Sequence, residues 1–241
     1  MMLIGFRRNV YLEWLEQTAA LFCMAQDPAE VRERLDAVVA LTVQSGVNRR
    51  QTLDILCNTW GPREGPAERL REEALRIYQE TTANGQHVAL HYGLTLMAFP
   101  FFREGARIVG QRLRFGGAVR TDEVRQQLLA SLGNLGAAAD AVKRIIFSLR
   151  NWGLLEDSGR RYAYQACEPR LALGTPDVER WLLAAALTAH PADELPFADL
   201  VRLPELFAFE FSLRPYDLAG ASSLLDVYRS GGGWDAVRLR D

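Results

Sequence analysis

The chain has 241 residues but only three cysteines and a single lysine, Lys143. Cys23, Cys57 and Cys167 are scattered and odd in number, with no CxxC and no Cys/His finger spacing, which excludes a disulfide scaffold and a zinc finger. Long apolar runs are missing too. The longest, residues 88–102, contains His91 and Pro100 and stops at Arg103 and Glu104, short of the roughly 20 apolar residues of a membrane span, so no membrane partner is expected. Arg7 and Arg8 are not followed by the apolar region and small-residue cleavage site of a signal peptide, and the reducing cytoplasm is the expected location. The sequence also lacks GxSxG, a Cys/His nucleophile pair and a spaced carboxylate set. No catalytic residue, cofactor, metal or small-molecule substrate is expected, and the chain reads as non-enzymatic.

Weaker candidates fall to plainer readings. His87 and His91 stand four apart, but Val88 occupies the position where HExxH needs its glutamate, and an ordinary buried or cap-proximal pair is expected. His190, before Pro191, is expected to meet a helix C-terminal dipole. Gly133-Asn134-Leu135-Gly136 matches the GxxG of a KH domain, but its middle residues are not basic, and a tight turn between helices explains both glycines. Gly231-Gly232-Gly233 has no following Lys-Ser/Thr and reads as a hairpin tip.

What is present is a globular balance, 49% hydrophobic and 24% charged, in a length that allows one or two domains with a real core. The net charge of −2 conceals a division. Residues 103–161 hold eleven basic and six acidic residues, whereas residues 167–241 hold seven basic and twelve acidic. With 27 arginines in the chain an isolated one says little, but this clustering places any nucleic-acid contact in the middle.

The first hundred residues read as helices. One spans about 9–25. The next starts with Asp27 as N-cap, Pro28 at N1 and Glu30 closing a capping box, and ends with Gly46 as C′ residue. Others follow at about 49–59, 66–82 (with a Glu72–Arg76 i,i+4 pair), 86–98 and 101–115. Trp60, Phe99, Phe101, Phe102 and Trp181 read as core. Further on, Thr175 and Pro176 start a helix to about Ala189, residues 207–213 suggest a strand, and residues 224–229 and 234–240 a hairpin.

Residues 118–166 change character. Thr121 caps a helix with Asp122 and Glu123 in its first turn. A second helix, about 137–151, carries Val142, Ile145, Ile146 and Leu149 on one face and Asp140, Lys143, Arg144, Phe147, Arg150 and Asn151 opposite. Gly153 ends it. Leu154-Leu155-Glu156, a turn at Asp157-Ser158-Gly159 and the alternating Arg161-Tyr162-Ala163-Tyr164-Gln165 read as a β-hairpin, with Tyr162 and Tyr164 on one face. The segment Val142-Lys143-Arg144-Ile145 through Leu149-Arg150-Asn151-Trp152-Gly153-Leu154-Leu155 resembles the recognition helix and wing of the winged helix-turn-helix superfamily. That resemblance implies double-stranded DNA as partner. Lys143, Arg144 and Arg150 are placed to meet phosphates or guanine edges, Arg160 and Arg161 to meet DNA from the wing tip, and Asn151 has the chemistry to read adenine but sits at the helix end. The helix start, Ala137-Ala138-Ala139-Asp140, is a poor base reader, so backbone binding with little sequence preference is expected.

The order of elements across most of the chain also resembles the BrxA-like accessory proteins of BREX phage-defence systems. This second resemblance rests on the apolar helix leading into Phe101-Phe102-Arg103-Glu104, the 142–155 segment, and Leu225-Asp226-Val227-Tyr228-Arg229 with Asp235-Ala236-Val237-Arg238-Leu239. It implies a DNA-binding helical protein working beside larger defence enzymes, with a protein partner for the acidic C-terminal part. The expected architecture is mostly α (α+β): a helical domain (1–117), a winged helix-turn-helix (118–170) and a helix plus β-hairpin segment (171–241). A protein-interaction scaffold is the alternative function. A sequence-specific repressor is a third, and the alanine-rich helix start argues against it.

Overall fold

The computed structural model describes residues 5–25, 27–81, 84–132, 138–219 and 224–240, with backbone alone at 84, 132, 138 and 139. The fold is mostly α with small sheets. Six helices come first: α1 (Leu12–Met24), α2 (Pro28–Ala40), α3 (Gly46–Trp60), α4 (Pro66–Glu80), α5 (Asn84–Ala98) and α6 (Pro100–Gly116). Among the described residues, proline opens five of the α-helices at the first turn, where its missing N–H costs nothing. The expected start of α2 is half right. Asp27 accepts from the Ala29 amide at 2.9 Å, but Glu30 pairs with Arg34 one turn on and closes no capping box. Gly46 does not end α2. It is the first residue of α3, whose cap is Ser45, because Ser45 Oγ accepts from the Asn48 amide. On α4, Arg76 lies between Glu73 and Glu80, in place of the expected pairing with Glu72.

The central elements are β1 (Val119–Arg120), α7 (Thr121–Leu132), α8 (Ala138–Asn151), β2 (Leu155–Asp157) and β3 (Ala163–Ala166). The three strands form an antiparallel sheet in the order β1-β3-β2, with Val119 opposite Tyr164 and Leu155 opposite Ala166. At the head of α7 it is Glu123 that reaches back, accepting from the Arg120 amide at 3.1 Å. Gly153, at φ +73°, lets the chain turn out of α8 while the Leu154 amide closes on the Leu149 carbonyl. Arg161 and Tyr162 are not strand residues as the alternation suggested. Both belong to the hairpin tip, where Tyr162 takes φ +57° and the Ala163 amide bonds the Arg160 carbonyl. The turn expected at Gly133-Asn134-Leu135-Gly136, and Ala137 after it, lie outside the described residues.

The chain then gives β4 (Leu171–Ala172), α9 (Pro176–Ala189), β5 (Glu194–Pro196), α10 (Phe197–Leu200), a 3-10 turn (Pro204–Leu206), β6 (Phe209–Glu210), α11 (Pro215–Leu218), β7 (Leu225–Arg229) and β8 (Asp235–Leu239). Thr175 caps α9 as expected, its hydroxyl accepting from the Val178 amide. The strand expected at 207–213 shrinks to β6, which pairs in parallel with β4. The physical reason is Glu179, 5% exposed, whose carboxylate accepts from the Ser212 amide and hydroxyl and from the Leu213 amide, so residues 212–213 bond a side chain on α9 and no strand. β7 and β8 form the expected hairpin, and β5 joins it in the order β5-β8-β7.

One buried core runs through these parts. The five aromatic residues expected there are all buried. Trp181 of α9 packs between α4 and α5. Its indole N–H donates to the Leu70 carbonyl at 2.8 Å, and a Cβ on Gly93 of α5 would lie 2.5 Å from its ring. α6 packs on β1, α7 and α8 and also on the 3-10 turn, so the expected boundaries at 117/118 and 170/171 fall between elements in contact or bridged by others. No helix among the described residues is long and apolar enough to cross a membrane.

Candidate nucleic-acid interface

α8 is amphipathic as its sequence requires: Val142, Ile145, Ile146 and Leu149 are buried, and Lys143 and Arg150 exposed. Its flank is covered by the irregular residues 5–11. Phe6 is buried among Phe99, Phe102 and Trp152. The Val10 amide donates to Ser148 Oγ at 3.2 Å, and its carbonyl accepts from the Trp152 indole at 3.0 Å. Tyr11 meets Phe147 edge-on. Two of the residues expected to contact DNA face this strap. Arg144 donates to Asn9 Oδ1 at 3.1 Å, and Asn151 Oδ1 accepts from the Leu12 amide at 2.7 Å, capping the start of α1. The structure does not bring these two together with the other four.

The opposite side of α8 forms one wall of a cleft of about 520 Å³, with the start of α7 and the β2–β3 hairpin as the others. Arg120, Arg125, Lys143 and Arg150 line it beside Tyr162 and Tyr164. The Arg150 guanidinium lies 4.9 Å over the Tyr164 ring and 2.6 Å from Asp157. Arg161 lies 4.9 Å over the Tyr162 ring at the hairpin tip and donates to its hydroxyl. Lys143 meets Asp140 at 3.4 Å and Arg120 meets Asp122 at 3.0 Å, both pairs exposed. Among the described residues, the side chains of Arg125 and Arg160 form no hydrogen bond or ion pair. Exposed pairs of this kind are worth about 0–1 kcal/mol, so a phosphate can displace the carboxylates. Sequence reading missed Arg120 and Arg125. Arg120 ends β1 and Arg125 follows the first turn of α7, so the acidic residues Asp122 and Glu123 between them masked both.

The remaining candidates resolve differently. His87 Nδ1 and His91 Nε2 each lie 3.1 Å from Glu16, whose carboxylate also accepts from the Tyr78 hydroxyl. Trp60 donates its indole N–H to His91 Nδ1 at 3.0 Å. Burial works against the Glu16 charge, but the bonds from His87, His91 and Tyr78 outweigh it and hold the carboxyl well below the usual carboxylate range. No group of three metal ligands occurs among the described residues. His190 does not act as a cation on the α9 dipole. Its Nδ1 accepts from the Ala192 amide at 3.1 Å, and burial together with Arg103 lowers its pKa. Gly231-Gly232-Gly233 is the tip of the β7–β8 hairpin, with Gly232 under the Trp234 ring.

No protein-family model, curated protein or solved structure matches this chain.

Proposed function

We propose that residues 100–166 are a winged helix-turn-helix through which this non-enzymatic protein binds double-stranded DNA, mainly along the phosphate backbone. The observation that carries the reading is the convergence of Arg120, Arg125, Lys143 and Arg150 on one cleft between the outer face of α8 and a hairpin tipped by Arg160 and Arg161. The order helix, strand, helix, helix, strand, strand, with the first strand beside the last, supports it, since that arrangement presents its third helix and hairpin to a duplex. Six exposed cations and no favourable base reader at the start of α8 match backbone contact. The wider role, an accessory subunit in phage defence with a protein partner, is part of the same proposal. It rests on the BrxA-like resemblance and is tested by co-purification from the native host.

The direct test is anisotropy with a labelled duplex of about 30 base pairs at two salt concentrations, with single-stranded DNA as control. Each phosphate contact contributes roughly 0.9 to the slope of log K against log salt, so Arg150→Ala with Arg161→Ala lowers the slope by about 2. A double variant that titrates like the wild type at both salts removes the cleft from the interface.

A further inference from the structure

We propose that a second cavity, on the C-terminal side of α6, binds a nucleoside phosphate or a close analogue: a small molecule with a phosphate and a flat aromatic ring whose face can lie on apolar side chains. The cavity measures about 690 Å³, within the range of small-molecule sites. Its walls are the last turns of α6, the end of β3, the loop before β4 and residues 201–209. The floor is apolar, with Leu113, Leu206 and Phe207, and the rim carries Arg114, Arg170 and Arg202 against one acid, Glu168.

Three observations set this cavity apart from an incidental crevice. The first is packing. A Cβ on Gly110 would lie 1.8 Å from the Pro204 carbonyl oxygen, so α6 and the 3-10 turn meet backbone to backbone at the cavity wall. The second is the state of the arginines. Arg114 donates to the Arg202 carbonyl at 2.6 Å and pins the rim, while the side chains of Arg170 and Arg202 form no hydrogen bond or ion pair among the described residues. Unlike Arg71, Arg76 and Arg107, which each have a carboxylate within 3.0 Å, these two guanidiniums are left with open donors. The third is location. Residues 167–241 are acidic overall, yet two of their seven basic residues stand at this one mouth. A phosphate accepts the forked donors of two guanidiniums, and the apolar floor below suits a ring. The combination favours an amphiphilic phosphate over a bare anion.

The test uses the full chain in titration calorimetry and thermal shift with AMP and ATP, and with adenosine and inorganic phosphate as the separated halves. The expected result is saturable nucleotide binding with a Kd below about 1 mM, weakened tenfold or more in Arg170→Ala/Arg202→Ala, with each half weaker than the whole by a similar factor. Both side chains are exposed, so the variant keeps its fold, checked by circular dichroism, and its duplex affinity stays at the wild-type value. Inorganic phosphate binding as well as AMP overturns the nucleoside assignment. So does binding unaffected by the double variant, or no binding at millimolar nucleotide. Displacement of AMP by duplex DNA also overturns it, by making the rim part of a nucleic-acid track. Because duplex affinity is read separately, failure here leaves the reading of the α7–α8 cleft untouched.

Discussion

Two clusters of charged and aromatic side chains, one among the N-terminal helices and one at the α7–α8 cleft, use the same chemistry to opposite ends. In the first, Glu16 of α1 gathers Tyr78 of α4 and His87 and His91 of α5, and His91 in turn takes the Trp60 indole N–H from α3. Each group faces inward and the cluster ties four helices together. In the second, the cations face outward, the carboxylate partners of Arg120, Lys143 and Arg150 are exposed, and Arg125, Arg160 and Arg161 have no carboxylate partner among the described residues. A charge whose partners are buried with it holds the fold, because losing one partner strands the other. A charge paired weakly in water is available to something else.

The largest effect should come from breaking the inward cluster. Glu16→Ala removes the acceptor of His87 and Tyr78 and the counter-charge beside His91, and a loss of about 1–3 kcal/mol in urea denaturation is expected. A change under about 1 kcal/mol would show that the histidines and Tyr78 find water or one another instead.

A smaller contrast separates the two sides of α8. Asn151→Ala deprives the first amide of α1 of its acceptor and should cost about 1 kcal/mol, the usual worth of a cap, without changing duplex affinity. Arg150→Ala removes a half-exposed pair with Asp157 and should cost about 0.5 kcal/mol or less while weakening duplex binding severalfold. Thermal unfolding and anisotropy on the two variants give the comparison, and the reverse pattern would exchange the roles of the strapped and open sides.

Much of the helical frame was legible in the sequence because its signals are local. Proline at a first turn, Thr175 ahead of α9, glycine after α8 and the apolar stripe Val142, Ile145, Ile146 and Leu149 act within one or two turns of themselves. What was not legible depends on partners far away in the chain. Asn151 and Ser148 bond residues 139 and 138 positions earlier, and nothing in the spacing around them encodes that strap. Glu16 carries no local signal of its role, which comes only from α5 lying beside α1. The apolar run at 207–213 has strand composition, but a buried carboxylate from α9 takes over its amides. Of the six residues expected to contact DNA, Lys143 and Arg150 on the open side of α8 and Arg160 and Arg161 at the hairpin tip could be placed from helix periodicity and the turn alone. The other two, Arg144 and Asn151, needed the N-terminal strap.

The finest test of the inward cluster is its dependence on pH. Both ring nitrogens of His87 meet oxygen acceptors, Nδ1 the Glu16 carboxylate and Nε2 the Thr81 carbonyl at 3.0 Å, and only the imidazolium donates to both. Burial alone would lower its pKa, but the bond and charge of Glu16 and the backbone carbonyls outweigh it, so His87 is raised above its ordinary 6.5. The folded state therefore holds that proton more tightly than the unfolded chain. The stability it contributes is fully present below about pH 6.5 and is lost as pH rises through the raised folded value. His91 runs the other way: fully buried, it is pushed down mainly by desolvation, and it accepts from Trp60 as a neutral ring. Its contribution is present above its ordinary value and declines as pH falls. Subtracting the stability of His87→Gln from that of the wild type gives mainly the first effect, because the His87 charge is the smallest of the influences on His91. The difference should be greatest near pH 6 and shrink by about 1 kcal/mol or less toward pH 9. A difference that stays flat across that range would mean that His87 is neutral in the fold and that Glu16 is held by Tyr78 and His91 alone.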